Sequence, residues 1–361
     1  MIPDFIEALT VEIELYSRKL VRSKVRTIYI GGGTPNLIPT GGFQKIISIL
    51  NQYFHLDQLR EFTVELNPAN INQNFIKVLK DNYVNRISIG CQSYSNKELS
   101  ILGRIHSVDQ NQSTIDTIKK YHFHKINLDF IFGIPKQSLA SWKKNLEKAV
   151  DTGVTHLSLY NLTYEPQTPL TKDLEQGKYM KPDEDLEWQM YEYAHDYLRE
   201  NNFEHYEISN WAKPGNQSIH NQAYWEGNDY IGFGPAAHSY YSKTRRWNKS
   251  NLNQYINRLK KRKLPPIEQE NINLKKHRLE KLFLSLRTKK GIELKTISEL
   301  YNIQQDTVKS LLAKRLNHFI NKFIIFDNNF LKLTLEGWFL SNSIISNISD
   351  LLDQYNNRSQ P

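Results

Sequence analysis

Short apolar runs alternate with helix-length amphipathic segments over the first half of the chain. The runs Thr27–Ile30, Phe62–Leu66, Arg86–Cys91, Ile126–Phe130 and His156–Tyr160 are strand-sized. Between them Gly41–Phe54, Asn74–Tyr83, Gln110–Tyr121 and Ser138–Thr152 read as helices. Phe5, Leu9 and Ile13, at i, i+4 and i+8 behind Pro3, mark a helix at the start. Strand–helix alternation with short connections predicts βα units on a parallel sheet or barrel. Such an architecture normally opens on a strand, and this chain opens on a helix, so the pattern predicts either an unusual sheet or one whose first strand is missing.

After Pro166 the pattern changes. Lys181 to Asn202 reads as a helix, and Tyr206–Tyr241 is rich in Gly, Asn and aromatic residues with short strands and turns. From Leu274 come helices, then short strands at Phe323–Phe326 and Leu331–Leu335, then a last helix from about Gly337. That order predicts an α+β, winged-helix-like module. The expected division is a βα barrel over 1–170, an extension over 171–265 and the winged-helix-like domain over 266–361.

At 361 residues, 39% hydrophobic and 24% charged, the chain is long enough for about two domains. No apolar run is long enough for a spanning helix, and Met1–Asp4 has neither the basic nor the apolar region of a signal peptide, which predicts a cytoplasmic protein. The single cysteine, Cys91, leaves no disulfide framework and no Cys-only zinc or iron–sulfur site within these residues. The net charge is +9, yet residues 243–290 alone hold 16 Lys/Arg against 3 acids, leaving the rest slightly acidic. Such a surplus suits a phosphate-bearing partner or an anionic surface; the plainer reading is a solvated helical face.

Gly31-Gly32-Gly33-Thr34-Pro35 follows the first strand directly. Glycines there open backbone conformations closed to other residues and let amides approach a ligand. Neither the Walker loop nor the dinucleotide fingerprint fits the spacing, and a tight strand–helix turn is the rival reading. Glu65, Gln92, Arg104 and Asp129 fall at or past the ends of later strands, the edge where barrel folds bind ligands. Each alone could be a cap or a surface charge. Together, two carboxylates, an Arg and an amide suit a ligand bearing amine, carboxylate and hydroxyl groups.

The segments TIYIGGGTPNLIP, VELNP, RISIGCQS, LGRIHS, LDFIFGIPKQ, LSLYNLTYEPQTPL and HYEISNWAKPGNQSIHNQAYWEGNDYIGFGPAAHSYY occur in this order. They resemble the HemW-type haem chaperones, relatives of oxygen-independent coproporphyrinogen III oxidase (HemN) in the radical SAM superfamily. The resemblance implies a partial (βα)6 TIM-like barrel lacking its first strand. It implies an S-adenosylmethionine (SAM) pocket of Gly32, Gly33, Thr34, Glu65, Gln92, Arg104 and Asp129, with Thr163 a weaker member. In the family's His-Asn-x-x-Tyr-Trp motif, here His220-Asn221 to Tyr224-Trp225, the histidine is implicated in binding haem. Imidazole is a standard axial ligand of haem iron, although a lone histidine is more often structural and Tyr224 and Trp225 could be core.

The chain departs from the family in one respect. Radical SAM proteins hold a [4Fe–4S] cluster on a Cys-x3-Cys-x2-Cys loop after the first strand, and residues 1–361 contain only Cys91, inside a strand where a small buried residue is expected. The cluster is therefore not expected from this chain, nor is radical chemistry as it stands. The leading expectation is a haem-binding chaperone that delivers haem to an acceptor protein. A coproporphyrinogen oxidase is the second, and a basic nucleic-acid binder an unfavoured third.

Overall fold

The computed structural model describes residues 1–18 and 24–359, with side chains through residue 356. The chain divides into two compact units: residues 1–203, 212–220 and 229–270 form the first, and residues 204–211, 221–228 and 271–361 the second.

In the first unit, α1 (Ile2–Ser17) precedes β1 (Thr27–Ile30), α2 (Thr40–Tyr53), β2 (Glu61–Leu66), α3 (Gln73–Asp81), β3 (Arg86–Gln92), α4 (Asn96–Ile101), α5 (Val108–Lys120), β4 (Lys125–Phe132), α6 (Leu139–Asp151) and β5 (His156–Asn161). The five strands lie side by side in sequence order, and every pairing is parallel. Each strand begins within one residue of its sequence-derived position. The short α4 is additional to the sequence-derived helices; its N-cap is Ser95, accepting from Glu98 N.

The two faces of this sheet differ in chemistry. Ile28, Phe62, Val64, Ile87, Ile89, Cys91, Leu128, Phe130, Leu157 and Leu159 alternate onto one face and pack beneath the helices. There Phe43 stacks on Phe62 and meets Phe75 edge-on, and Trp142 packs on Phe132 while its indole donates to Met190 O at 2.8 Å. The other face carries Thr27 and Tyr29, Glu61, Thr63 and Glu65, Arg86 and Ser88, Asn127 and Asp129, His156 and Ser158. Parallel strands covered by apolar layers on both sides read as continuous hydrophobic runs. Here strict polar alternation marks the interior of a barrel built for polar contacts.

Helix starts are locally encoded. Ser107 and Gln110 form a capping box at α5, and Ser138 accepts from Ser141 N at the start of α6. α1 packs Ile6 and Ile13 against Ile46 and Leu50 of α2, and Ala8 against Tyr255, Ile256 and Leu259. Buried Glu12 accepts from Gly234 N (2.8 Å), Asn248 Nδ2 (2.7 Å) and Tyr255 Oη (2.7 Å).

Burial holds the Glu12 carboxyl above its ordinary value of 4.5 despite those donors. A raised folded value means the favourable contribution is fully present below about pH 4.5 and is lost as pH rises through the folded value. In urea unfolding at stepped pH, the stability of the wild type relative to Glu12→Gln is therefore expected to rise as pH falls from neutral toward 4.5. A pH-independent difference contradicts this.

The rest of the first unit comprises α7 (Pro169–Glu175), α8 (Glu184–Glu200), the antiparallel pair β8 (His238–Tyr241) and β9 (Thr244–Asn248), α10 (Leu252–Lys260) and most of β10 (Ile267–Asn271). Part of the basic surplus is paired locally. Lys260 meets Asp4 at 2.7 Å, Arg262 meets Glu14 at 2.5 Å, Arg245 and Lys249 lie 3.6 Å from Glu270 and Glu268, and Arg246 lies over the Tyr16 ring. Exposed pairs of this kind add little stability.

The second unit contains β6 (Glu204–Glu207), most of β7 (Asn210–Ala212) and of α9 (Ile219–Glu226), then α11 (Leu274–Leu286), β11 (Ile292–Glu293), α12 (Leu294–Tyr301), α13 (Gln305–Arg315), β12 (Ile324–Asp327), β13 (Phe330–Leu333), α14 (Leu335–Phe339) and α15 (Ser341–Ser359). β13 lies between β11 and β12, antiparallel to both. Leu282, Ile297, Leu312, Ile324, Leu331 and Ile345 form its core. Helix–strand–helix–helix–hairpin is the winged-helix order. Helix α9 stands where the sequence suggested only strands and turns. No described helix is long and apolar enough to cross a membrane.

Candidate functional site

The C-terminal edge of the sheet carries the glycine loop. Gly32 and Gly33 adopt φ of +78° and +73°, the left-handed region that favours glycine. A Cβ on Gly31 would lie 2.6 Å from the Tyr29 ring and 2.7 Å from Glu65 Cδ. Gly31→Ala is thus expected to lose about 1–3 kcal/mol by overpacking, read by denaturant unfolding; an unchanged midpoint contradicts that close approach.

Tyr29 Oη donates to Glu65 Oε1 at 2.6 Å, and Gly32 N donates to Glu65 Oε2 at 3.0 Å. One carboxylate therefore ties the tip of β2 to the loop after β1. Asn36 fixes the far side of that loop: its Nδ2 donates to Asn67 O (3.0 Å) and Asn70 O (2.8 Å), and its Oδ1 accepts from Asn67 N (3.0 Å). Thr34 precedes the short turn Pro35–Leu37, its carbonyl accepting from Leu37 N at 3.0 Å.

Asp129 lies deeper on the same polar face. It accepts from Ser88 Oγ at 3.0 Å and from Asn127 Nδ2 at 2.8 Å, and Ser88 is the register partner of Glu65. Burial raises the Asp129 carboxyl above its ordinary value, and the Glu65 charge adds to this against the hydrogen bonds of Ser88 and Asn127. Gln92 ends β3 at an irregularity in the ladder, with φ +65°. Buried His106 (Nε2) and Asn111 (Nδ2) both lie 3.2 Å from the carbonyl of Cys91, just before it.

Gly32, Gly33, Thr34, Glu65 and Gln92 therefore share one sheet edge, and Asp129, which the sequence placed at a strand end, sits mid-strand in β4 behind it on the same face. Arg104 differs: it is exposed on the loop beyond α4, after Gly103 with φ +65°, rather than at a strand end. Thr163 is exposed two residues past β5.

His220 occupies a different place, toward the opposite end of β1 and β2. Its Nδ1 lies 2.8 Å from Thr27 Oγ1, and its ring stacks on Tyr29 with centroids 5.0 Å apart and planes inclined by 22°. Buried Glu61, the first residue of β2, accepts from Ile219 N (2.8 Å), His220 N (3.1 Å), Ser218 Oγ (3.0 Å) and Thr63 Oγ1 (3.3 Å). A carboxylate at a helix N-terminus is favoured both by the dipole and by the amides, and here it sets the position of α9. Burial lowers the His220 pKa, Glu61 partly offsetting this and Arg86 adding to it, so the imidazole is neutral at physiological pH. In the second unit the Trp225 indole hydrogen-bonds the buried Glu207 carboxylate, and exposed Tyr224 is 40% accessible. The aromatic end of the motif is thus part structural and part surface.

Sequence reading missed Tyr29, Asn36, Ser88, Asn127 and Glu61. Ser88, Asn127 and Glu61 sit at alternating positions with Gln92, Asp129 and Glu65, and that alternation was the available signal.

Residues 3–149 match the Radical SAM superfamily and residues 272–340 the HemN C-terminal domain. The chain superposes on the structure of coproporphyrinogen III oxidase (HemN) from Escherichia coli with a TM-score of 0.80, over 98% of this chain and 83% of that one at 18% identity. That likeness shows the fold; the match over residues 3–149 is what marks a radical SAM protein. Heme chaperone HemW of Lactococcus lactis subsp. lactis is 32% identical over 98% of this chain and 90% of its own length. Heme chaperone HemW of Bacillus subtilis is 30% identical, covering 88% and 85%. Radical S-adenosyl methionine domain-containing protein 1, mitochondrial, of Danio rerio is 31% identical, covering 95% and 79%. The chain belongs to the HemW family.

Proposed function

We propose that this chain binds haem and passes it to a haem-dependent acceptor protein in the cytoplasm, with His220 as the iron ligand. The observation carrying this reading is the environment of His220: a neutral imidazole, its backbone capped by Glu61 and its Nδ1 oriented by Thr27 Oγ1. Ligating histidines characteristically hold one ring nitrogen in such an outer hydrogen bond. Haem supplies the iron centre that is the cargo; the protein's part is to hold the imidazole unprotonated and aimed. Basic side chains of residues 243–290 would meet haem propionates, an acceptor or a membrane surface.

We further infer that residues 1–361 do not assemble a three-thiolate cluster. Their one cysteine, Cys91, is fully buried, and burial raises its thiol well above the ordinary value, the opposite of a ligating thiolate. Residues 1–361 are therefore expected to carry out no radical step. SAM would still find Gly32, Gly33, Thr34, Glu65, Gln92, Arg104, Asp129 and Thr163, but Glu65 and Asp129 already hold internal donors. Calorimetry on the cluster-free chain is expected to show SAM binding weaker than micromolar; a micromolar isotherm contradicts this.

The function is tested by transfer. Haem-loaded protein mixed with a haem-free acceptor enzyme is expected to yield the acceptor's holo spectrum faster than an equal concentration of free haem. Haem that stays bound, or arrives no faster than from solution, overturns the delivery reading.

A further inference from the structure

His220 and the glycine loop belong to different ends of the polar face, and one side chain spans the distance. The Tyr29 ring stacks on the His220 imidazole at 5.0 Å while its hydroxyl donates to Glu65 Oε1 at 2.6 Å. The other oxygen of Glu65 accepts from Gly32 N at 3.0 Å. The phenol stays protonated, because burial and the Glu65 charge both raise its pKa, so the hydroxyl is a fixed donor. Thr27, the first residue of β1, holds the same ring through its Oγ1, 2.8 Å from Nδ1.

We propose that Tyr29 is a positioning residue that couples the hydrogen-bonding state of Glu65 to the orientation of the His220 imidazole. A ligand whose amine takes over the Glu65 carboxylate removes the acceptor of Tyr29, and the freed ring re-tilts against His220. The haem-side imidazole thus senses occupancy of the glycine-loop pocket, and the same linkage runs in reverse. As a statement about haem this rests on the proposed function; as a statement about His220 it stands on the contacts alone.

The test uses the full, haem-free chain isotope-labelled at its histidine nitrogens, with the His220 signals assigned by their loss in His220→Ala. At one fixed pH the ring nitrogen shifts are compared for wild type, Glu65→Gln, Tyr29→Phe and the double variant, a cycle that isolates the coupling. Glu65→Gln is expected to move the His220 signals, and to leave them unmoved when Tyr29→Phe is also present. No movement, or the same movement with and without the Tyr29 hydroxyl, overturns the link. Haem titration supplies the second readout. Tyr29→Leu, which loses the stack, is expected to weaken haem about tenfold, the equivalent of a strong aromatic pair, and unchanged affinity counts against the proposal. A chain that shows the Tyr29-dependent shift yet binds no haem keeps the link and overturns the haem reading. One that binds haem without the shift does the reverse.

Discussion

Replacing Glu61 by alanine is expected to cost about 3–5 kcal/mol of unfolding free energy, the scale of removing a buried, multiply bonded carboxylate. Glu61 is fully buried and accepts from two backbone amides and two hydroxyls, so truncation strands four donors at once. Two of those donors are the first amides of α9, 158 and 159 residues away along the chain, so the substitution also releases the helix that carries His220. Glu61→Gln keeps one carbonyl acceptor and should lose roughly half as much. Chemical denaturation of the three proteins measures this. Equal stability of wild type and Glu61→Ala would show that the carboxylate does not anchor α9.

His220→Ala is expected to weaken haem binding about a hundredfold and to move the Soret band toward that of free haem, since it removes the nitrogen proposed as the iron ligand. Thr27→Val deletes only the hydroxyl that orients Nδ1 and should cost about tenfold, the range typical of an outer-sphere partner. The graded pair separates ligation from packing. The Ala variant leaves the Tyr29 ring without its stacking partner, so far-ultraviolet circular dichroism must show both variants folded. Identical haem affinity and spectra in all three proteins contradict the role of His220.

The outline of the barrel was legible because each strand places one apolar row beneath the helices, and those rows are contiguous enough to stand out as runs. Phe62, Val64 and Leu66, or Ile87, Ile89 and Cys91, announce a strand without reference to any neighbour. The opposite rows were harder. Glu61, Ser88 and Asn127 acquire meaning only through partners on adjacent strands or far along the chain, such as Ser88 with Asp129 or Glu61 with His220. The rim residues Glu65 and Gln92 and the deeper Asp129 were accessible through motif resemblance. Tyr29 lay inside the same motif, but nothing in its local sequence shows that its hydroxyl reaches Glu65 while its ring meets His220. Helix α9 was missed for a related reason: its start is capped by a distant carboxylate rather than by a neighbouring side chain, and Asn, Gln and aromatic residues give it little helical periodicity.

Membership of the HemW family and the radical SAM fold are compatible with a chain whose single cysteine is buried in β3. Holding haem asks only for a neutral, oriented imidazole and a stable scaffold behind it, whereas radical chemistry asks for three accessible thiolates. The central claim, that this chain holds haem, is tested most directly by titrating the purified protein with haem and following visible absorbance. A saturable Soret shift that ends at a fixed haem-to-chain ratio and is lost in His220→Ala is the predicted result. Absorbance that rises without saturation, as for haem adsorbing to any protein surface, would contradict it.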